Sequence, residues 1–341
     1  MMKKRHLVFP LVLGTIGIFL LMNYGTVLAQ TVDLKVTTVQ MRHQQMGVGI
    51  ERFAKYSQEK LKDKVRIRTY PAAQLYTGQE EIQAVIKGEI QIAFVIGSTL
   101  ELIDPSQELL KLPFFFPNVE MCYQYMDGPA GKKLFDKIEE KGLEILGTVS
   151  SGNVAISNNK LILKRPEDFK GLKMRSFGRM GAATLKALGA ISIVTASEET
   201  YSALQQGVID GMTTPAPVFL ARKFFDIQKY VTDGGMLNAT LVAIIANKAW
   251  WNNLPADVRN GLSDSIQRVV QEQRADMEVE NKKIFDQIAG KGCQVYVLSP
   301  EEQMGLRKAL QPVYDEFVPK IGTTLVKEAQ QEVERLRKTK K

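Results

Sequence analysis

Apolar and polar positions follow two rhythms that succeed one another along the chain. Residues 33–39 carry Leu34 and Val36 on one side of a short extended run. Residues 49–61 place Ile50, Phe53, Ala54 and Leu61 on one face at the spacing of an amphipathic helix. Val65-Arg66-Ile67-Arg68-Thr69-Tyr70 returns to strict alternation and stops at Pro71, which has no N–H to give to a sheet ladder. Residues 80–87 predict a second helix, with Ile82, Val85 and Ile86 inward and Gly88 as its C-terminal cap. Residues 90–96 then read as a largely apolar strand. Such β-α-β alternation predicts α/β layers with a partly parallel sheet.

The same unit returns further along. Glu80-Glu81-Ile-Gln-Ala84-Val85-Ile-Lys-Gly88-Glu-Ile90 is echoed by Glu199-Thr-Tyr201-Ser-Ala203-Leu204-Gln-Gln-Gly207-Val-Ile209. Each has an acidic start, a helix, a capping glycine and a strand, as two similar lobes would require. A turn over residues 166–171 precedes a strand ending at Arg175. A helix over 178–188 and a strand over 191–194 follow. Residues 238–246 are strongly β-type. From Trp250 onward the pattern is helical, with Pro255 opening a helix and a strand over 293–298 between helices. Leu325, Val326, Ala329 and Val333 give the last helix one apolar face. Nothing resembles a low-complexity linker, so the lobes are expected to share crossing segments.

The first 30 residues break this pattern. Lys3, Lys4 and Arg5 precede an apolar run over residues 7–22, and Val27-Leu28-Ala29 places short side chains where a signal peptidase reads. The run is shorter than the ~20 residues a membrane span needs. It predicts a secretory signal peptide over residues 1–29, cleaved after Ala29, and a periplasmic protein. No cysteine stands at the cleavage point, which excludes a lipid anchor there.

With 341 residues, 45% of them apolar, the chain is long enough for two cores. The formal charge of +8 suits anionic ligands, although a solvated lysine-rich surface explains it equally. The basic end of the last helix, from Arg335 to Lys341, reads as a solvated tail and not as a nucleic-acid contact. Cys122 and Cys293 are far apart and match no metal spacing; whether they pair stays open.

Catalytic chemistry is hard to build from this chain. Past the signal segment its one histidine is His43, so a multi-histidine metal site is excluded and no nucleophile elbow is present. Gly128-Pro-Ala-Gly131-Lys132-Lys133 lacks the spacing of a phosphate loop, and Gly47-Val-Gly49 lacks a third glycine. No cofactor is expected. The balance moves from enzyme towards binding module.

Several stretches, in order, carry a resemblance. They are Tyr70-Pro71-Ala-Ala-Gln74-Leu75, Leu112-Pro113-Phe114-Phe-Phe116-Pro117, Asp168-Phe-Lys-Gly171-Leu-Lys-Met-Arg175, Leu188-Gly189-Ala190, and the run from Glu199 to Asp210-Gly211. Together they resemble the solute-binding proteins of TRAP transporters. The resemblance implies a two-lobed α/β periplasmic binding protein with a ligand cleft between its lobes and segments crossing between them. Lobe one would comprise residues 30–152 plus 240–279, lobe two 153–239 plus 280–325, and residues 326–341 a basic helical tail. It implies capture of a small organic acid and delivery to integral membrane subunits. A ligand-binding sensor that presents its bound state to a membrane receptor would need the same cleft.

Arg175 is the residue that the resemblance assigns to the substrate carboxylate. A guanidinium fork matches a carboxylate with two charge-assisted hydrogen bonds. Many members carry a second arginine where this chain has Val154, and asparagine where it has Thr214; a threonine hydroxyl can still donate to a carboxylate oxygen. Phe177 is expected to pack on the ligand body or in the core. Arg179 supplies a second positive charge or a solvated helix end. Gln40 and Ser98 follow predicted strands, where open α/β sheets place their ligands. The few polar partners predict a less polar acid with one dominant carboxylate.

Overall fold

A computed structural model describes residues 31–195 and 199–339. The signal segment expected over residues 1–29 and its cleavage point lie outside the described residues.

The chain opens with β1 (Val32–Thr37), α1 (Gln45–Leu61), β2 (Val65–Tyr70), α2 (Gly78–Ile86) and β3 (Ile92–Ile96), followed by α3 (Val119–Asp127), α4 (Pro129–Glu139) and β4 (Leu143–Ser150). Next come β5 (Val154–Asn158), β6 (Lys173–Ser176), α5 (Gly178–Ala187), β7 (Ile191–Val194), α6 (Thr200–Gln205), β8 (Gly211–Pro215), α7 (Ala216–Ala221) and β9 (Tyr230–Asp233). The last third holds β10 (Leu241–Asn247), α8 (Lys248–Asn252), α9 (Ala256–Asn281), α10 (Ile284–Gly290), β11 (Gln294–Val297), α11 (Pro300–Ala309), α12 (Gln311–Ile321) and α13 (Thr323–Thr339).

These strands form two sheets, ordered β2-β1-β3-β10-β4 and β11-β9-β5-β8-β6-β7. In the first, β1 runs parallel to β2 and β3, with Val32 opposite Val65 and Val36 opposite Ile92. In the second, β6 runs parallel to β7 and β8, with Arg175 opposite Ile193 and Met212. The units β1-α1-β2-α2-β3 and β6-α5-β7-α6-β8 therefore share one topology. This is the structural content of the echoed sequence: Gly88 and Gly207 end the equivalent helices α2 and α6 at φ of 77° and 68°. Each sheet is completed by antiparallel strands, β10 between β3 and β4, and β5 between β8 and β9.

Each sheet buries both faces, which is why its central strands read as apolar runs. Leu34, Phe94 and Ile244 pack against Ile50 and Phe53 of α1 and Leu262, Ile266 and Val269 of α9. The opposite face meets Ile82 and Val85 of α2. In the second sheet Ala155, Met212 and Val231 pack on Phe219 of α7 and Ile288 of α10, while Met174 faces Met180 and Leu185 of α5 and Phe317 of α12. The last helix buries Val326, Ala329, Val333 and Leu336 against α3 and α4; the expected Leu325 is only half buried. No helix of the described residues is long and apolar enough to cross a membrane.

Two segments that pass between the sheets are bonded to each other. Ser151 N–H donates to Thr240 O at 2.6 Å, and the Thr240 hydroxyl donates to Gly152 O at 2.6 Å. Beside them runs α9, about 39 Å long at the rise of an α-helix; Asn281 at its end accepts from Asn153 N–H at 3.1 Å. The two sheets are thus linked by a hydrogen-bonded crossing and one long helix, and also by a core that joins Leu109, Phe116 and Tyr125 to Met174 and Phe317.

Close approach of β8 to β5 depends on Gly211. A Cβ there would stand 2.2 Å from Ser157 O and 2.7 Å from Asn158 Cβ. Gly211→Ala is expected to cost about 1–3 kcal/mol, read as a lower midpoint in urea unfolding; an unchanged midpoint would mean that the two strands stand further apart. Cys122 and Cys293 are both free and buried, in different cores. Burial pushes the Cys122 thiol up to about 12 and also raises Cys293. Thiol reagents at pH 8 are expected to leave both unlabelled until the protein is unfolded; fast labelling of the native protein would contradict this burial.

Candidate functional site

In open α/β sheets a crevice forms beyond the strand C-termini, where successive crossovers leave to opposite sides. Here those points lie between β1 and β3 in one sheet and between β6 and β8 in the other. All six residues singled out in the sequence stand at these strand ends. Gln40 follows β1, Ser98 follows β3, Arg175 to Arg179 close β6 and open α5, and Thr214 ends β8.

Asp210 fixes the second pair of strands. Its carboxylate accepts from Lys173 N–H at 2.9 Å and meets Lys160 Nζ at 3.1 Å. Its own N–H donates to Lys173 O at 2.7 Å. Burial works against the Asp210 charge, yet these donors outweigh it and hold the carboxyl below its usual range. Two residues further along β6, Arg175 is 5% exposed. Its Nε donates to Thr195 O at 3.2 Å, and its guanidinium carbon stands 5.3 Å from the Phe177 ring centroid. Strand, carbonyl and ring together fix the direction of the fork. Thr214 is 7% exposed, on a strand two places across the sheet order from β9 and opposite Ala155.

Phe177 is half-buried and precedes α5, whose first residue, Gly178, has φ of 72°. Arg179 is exposed, its Nη2 3.6 Å from Glu108 Oε1. Gln40 is half-buried and engaged in its own turn: Oε1 accepts from Met46 N–H at 2.8 Å, and its carbonyl accepts from Ala72 N–H at 2.7 Å. Ser98 Oγ is buried without a hydrogen-bond partner. Gln40 also lines a cavity of about 270 Å³ between α1, α7 and α9, with His43, Arg52, Ser151, Pro217 and Met277. Arg175 does not line it.

Sequence reasoning missed a group of charges between β3 and α3. Glu101 and Lys111 form a 2.6 Å ion pair with side-chain exposures of 8% and 10%. Glu108 is fully buried, and neither carboxylate oxygen has a hydrogen-bond partner. Burial and then the Glu101 charge push Glu108 up, while Arg179 and Lys111 oppose them. These charges sit in 3-10 turns, Gly97–Leu102 and Pro105–Lys111, where no periodicity betrays which side faces inward. A second missed group is Glu81 of α2, which is fully buried although it reads as part of an acidic helix start. Among the described residues no cluster of three or more His, Cys, Asp or Glu side chains is placed to hold a metal.

Comparison with known proteins adds three findings. A family model described as bacterial extracellular solute-binding protein, family 7, matches residues 36–320. The C4-dicarboxylate-binding periplasmic protein of Rhodobacter capsulatus is 32% identical over 307 residues, covering 88% of this chain and 90% of that protein. Among solved structures, a TRAP periplasmic solute-binding protein from Sulfurospirillum deleyianum with bound succinate is 30% identical, covers 88% of this chain and 98% of its own, and superposes with a TM-score of 0.79. Another, from Ralstonia eutropha with bound (S)-2-acetolactate, is 26% identical over 89% of this chain and 99% of its own, with a TM-score of 0.83.

Proposed function

Because the chain belongs to family 7 of the bacterial extracellular solute-binding proteins, we propose that it holds an organic acid by Arg175, between lobes that close on it, and passes it unchanged to membrane subunits. It is a TRAP-type periplasmic solute-binding protein for small organic acids. Relatives bind a dicarboxylate, as in the succinate complex, or a monocarboxylate, as in the acetolactate complex.

The observation that carries this reading is the setting of Arg175: a nearly buried guanidinium at a strand C-terminus, aimed by the Thr195 carbonyl and the Phe177 ring. A guanidinium keeps its charge when closure excludes water. Thr214 and Ser98 supply hydroxyls near the acid, and Phe177 packs on its carbon body. Arg179 and Gln40 already hold protein partners, so they support the site from its edge. The lobes are residues 30–152 plus 240–279 and residues 153–239 plus 280–325, with the bonded crossing at Ser151 and Thr240 as the hinge. The acid favours the closed form by its differential affinity for it, and the membrane subunits read that shape. Residues 1–29 direct export and are removed after Ala29.

A thermal-shift screen of the protein from Gln30 onward, against mono- and dicarboxylates and the matching uncharged amides, tests this function. An acid at 100 times its dissociation constant adds about 2.7 kcal/mol of stability. Stabilisation by acids and not by amides is expected. Equal response to acids and amides, or to neither, would contradict it.

A further inference from the structure

The proposed function leaves unused the nearly buried ion pair Lys111–Glu101, which stands against Gly178, three residues after Arg175. Burying two charges costs several kcal/mol per ion, and well-packed apolar residues often serve stability as well or better. Stability is therefore a poor reason for the pair, and its position offers a better one.

Glu101 lies in the turn that leaves β3, and Lys111 ends the next one. Both charged groups press against the start of α5, and the turn that carries Lys111 shares a core with Met180 and Leu185 of that helix. A Cβ on Gly178 would stand 2.8 Å from Lys111 Nζ and 2.9 Å from Glu101 Oε1. Glycine suits residue 178 for two reasons: its φ of 72° is one that side chains resist, and a side chain would push the charged ends of the ion pair aside. Phe177, the residue before, carries the Arg175 guanidinium on its ring. The turn from Arg175 to Gly178 thus gathers a guanidinium, an aromatic ring and a zwitterionic pair at one place, the end of β6.

We propose that the Lys111–Glu101 pair is a specificity-determining contact of this site, reading a hydroxyl on the ligand beyond the carboxylate that Arg175 holds. The inference rests on the Arg175 reading above. Its chemistry follows from the neutrality of the pair. An ammonium has three donors and Glu101 takes one of them; a carboxylate offers several lone-pair sites. A hydroxyl uses both, accepting from Lys111 and donating to Glu101. A second carboxylate would meet the like charge of Glu101, and an amine that of Lys111. The site therefore selects a hydroxylated monocarboxylate, which keeps the single dominant carboxylate expected from the sequence and departs from the less polar body expected with it.

The test compares butyrate, 2-, 3- and 4-hydroxybutyrate and succinate by calorimetric titration of the wild type, of Lys111→Met/Glu101→Gln, and of Arg175→Ala. The double substitution removes both charges, so neither ion is left buried alone; its unliganded melting temperature checks the fold. In the wild type at least one hydroxybutyrate is expected to bind about tenfold or more tighter than butyrate, the scale of hydrogen bonds to charged groups, and tighter than succinate. The double variant should bring the hydroxybutyrates to within about threefold of butyrate. Wild type that does not prefer a hydroxybutyrate, or a double variant that keeps the preference while Arg175→Ala still abolishes binding, overturns the role of the pair and leaves the Arg175 reading standing. If Arg175→Ala binds as the wild type does, or if no acid binds the wild type, both fall together.

Discussion

In the Arg175→Ala variant, the acid that stabilises the wild type is expected to bind on the order of 10²–10³-fold more weakly. Truncating one partner of a buried, hydrogen-bonded charge pair costs about 2–5 kcal/mol, because the carboxylate left behind is both desolvated and unpaired. Arg175 suits that estimate: it is 5% exposed, and its fork is held by the Thr195 carbonyl and the Phe177 ring. Arg175→Lys should fall between, since an ammonium keeps the charge and loses the planar, two-bond match. The substitution also removes the bond to Thr195, so affinity has to be measured on protein whose fold has been checked. Equal affinity in wild type and Arg175→Ala would make Arg175 a structural bridge between β6 and the end of β7.

The second large effect is on stability, and it comes from Glu81. Burial pushes its carboxyl from 4.5 up to about 8; the Thr37 hydroxyl opposes this but donates to Tyr70 O at 3.2 Å. Both Glu81 oxygens are without a hydrogen-bond partner. The folded protein therefore keeps a proton that the unfolded chain releases near pH 4.5. Stability from this group is complete below that pH and is lost as pH rises towards about 8. At about 1.4 kcal/mol per pH unit, the loss across the window is on the order of several kcal/mol. Glu81→Gln, which cannot ionise, should flatten the fall and be more stable than the wild type at pH 8. Urea unfolding at pH 5, 6.5 and 8 measures both. A wild type as stable at pH 8 as at pH 5, or a variant with the same slope, would contradict the buried, proton-bearing state of Glu81.

Local periodicity carried much of the fold, and the two lobes show why. The strands and helices of residues 33–96 each bury one face or both, against one another and against β10 and α9, and alternation and helical spacing report a buried face whichever neighbour covers it. The helix expected over 49–61 begins instead at Gln45, because the Gln40 side chain accepts from Met46 N–H and lets the first turn form earlier. The echo of residues 80–90 in 199–209 proved to be a shared crossover: in both copies a capping glycine turns a helix back into a strand beside its predecessor. The site was less legible. Arg175 was singled out through an ordered set of family motifs, since nothing in the spacing of a strand marks one arginine for a ligand. Lys111, Glu101 and Glu108 stayed hidden because 3-10 turns have no apolar stripe. Glu81 was hidden for the opposite reason. An acidic residue in the first turn of a helix is favoured by the helix dipole, so its position looked ordinary while its side chain pointed into the core.

A crystal structure of the protein with the acid that stabilises it most would test the mechanism most directly. The expected result is the ligand carboxylate within hydrogen-bonding distance of the Arg175 guanidinium, between the ends of β6 and β8 and the turn that leaves β3. An acid seated in the cavity lined by Gln40, His43 and Arg52, with Arg175 out of reach, would contradict it.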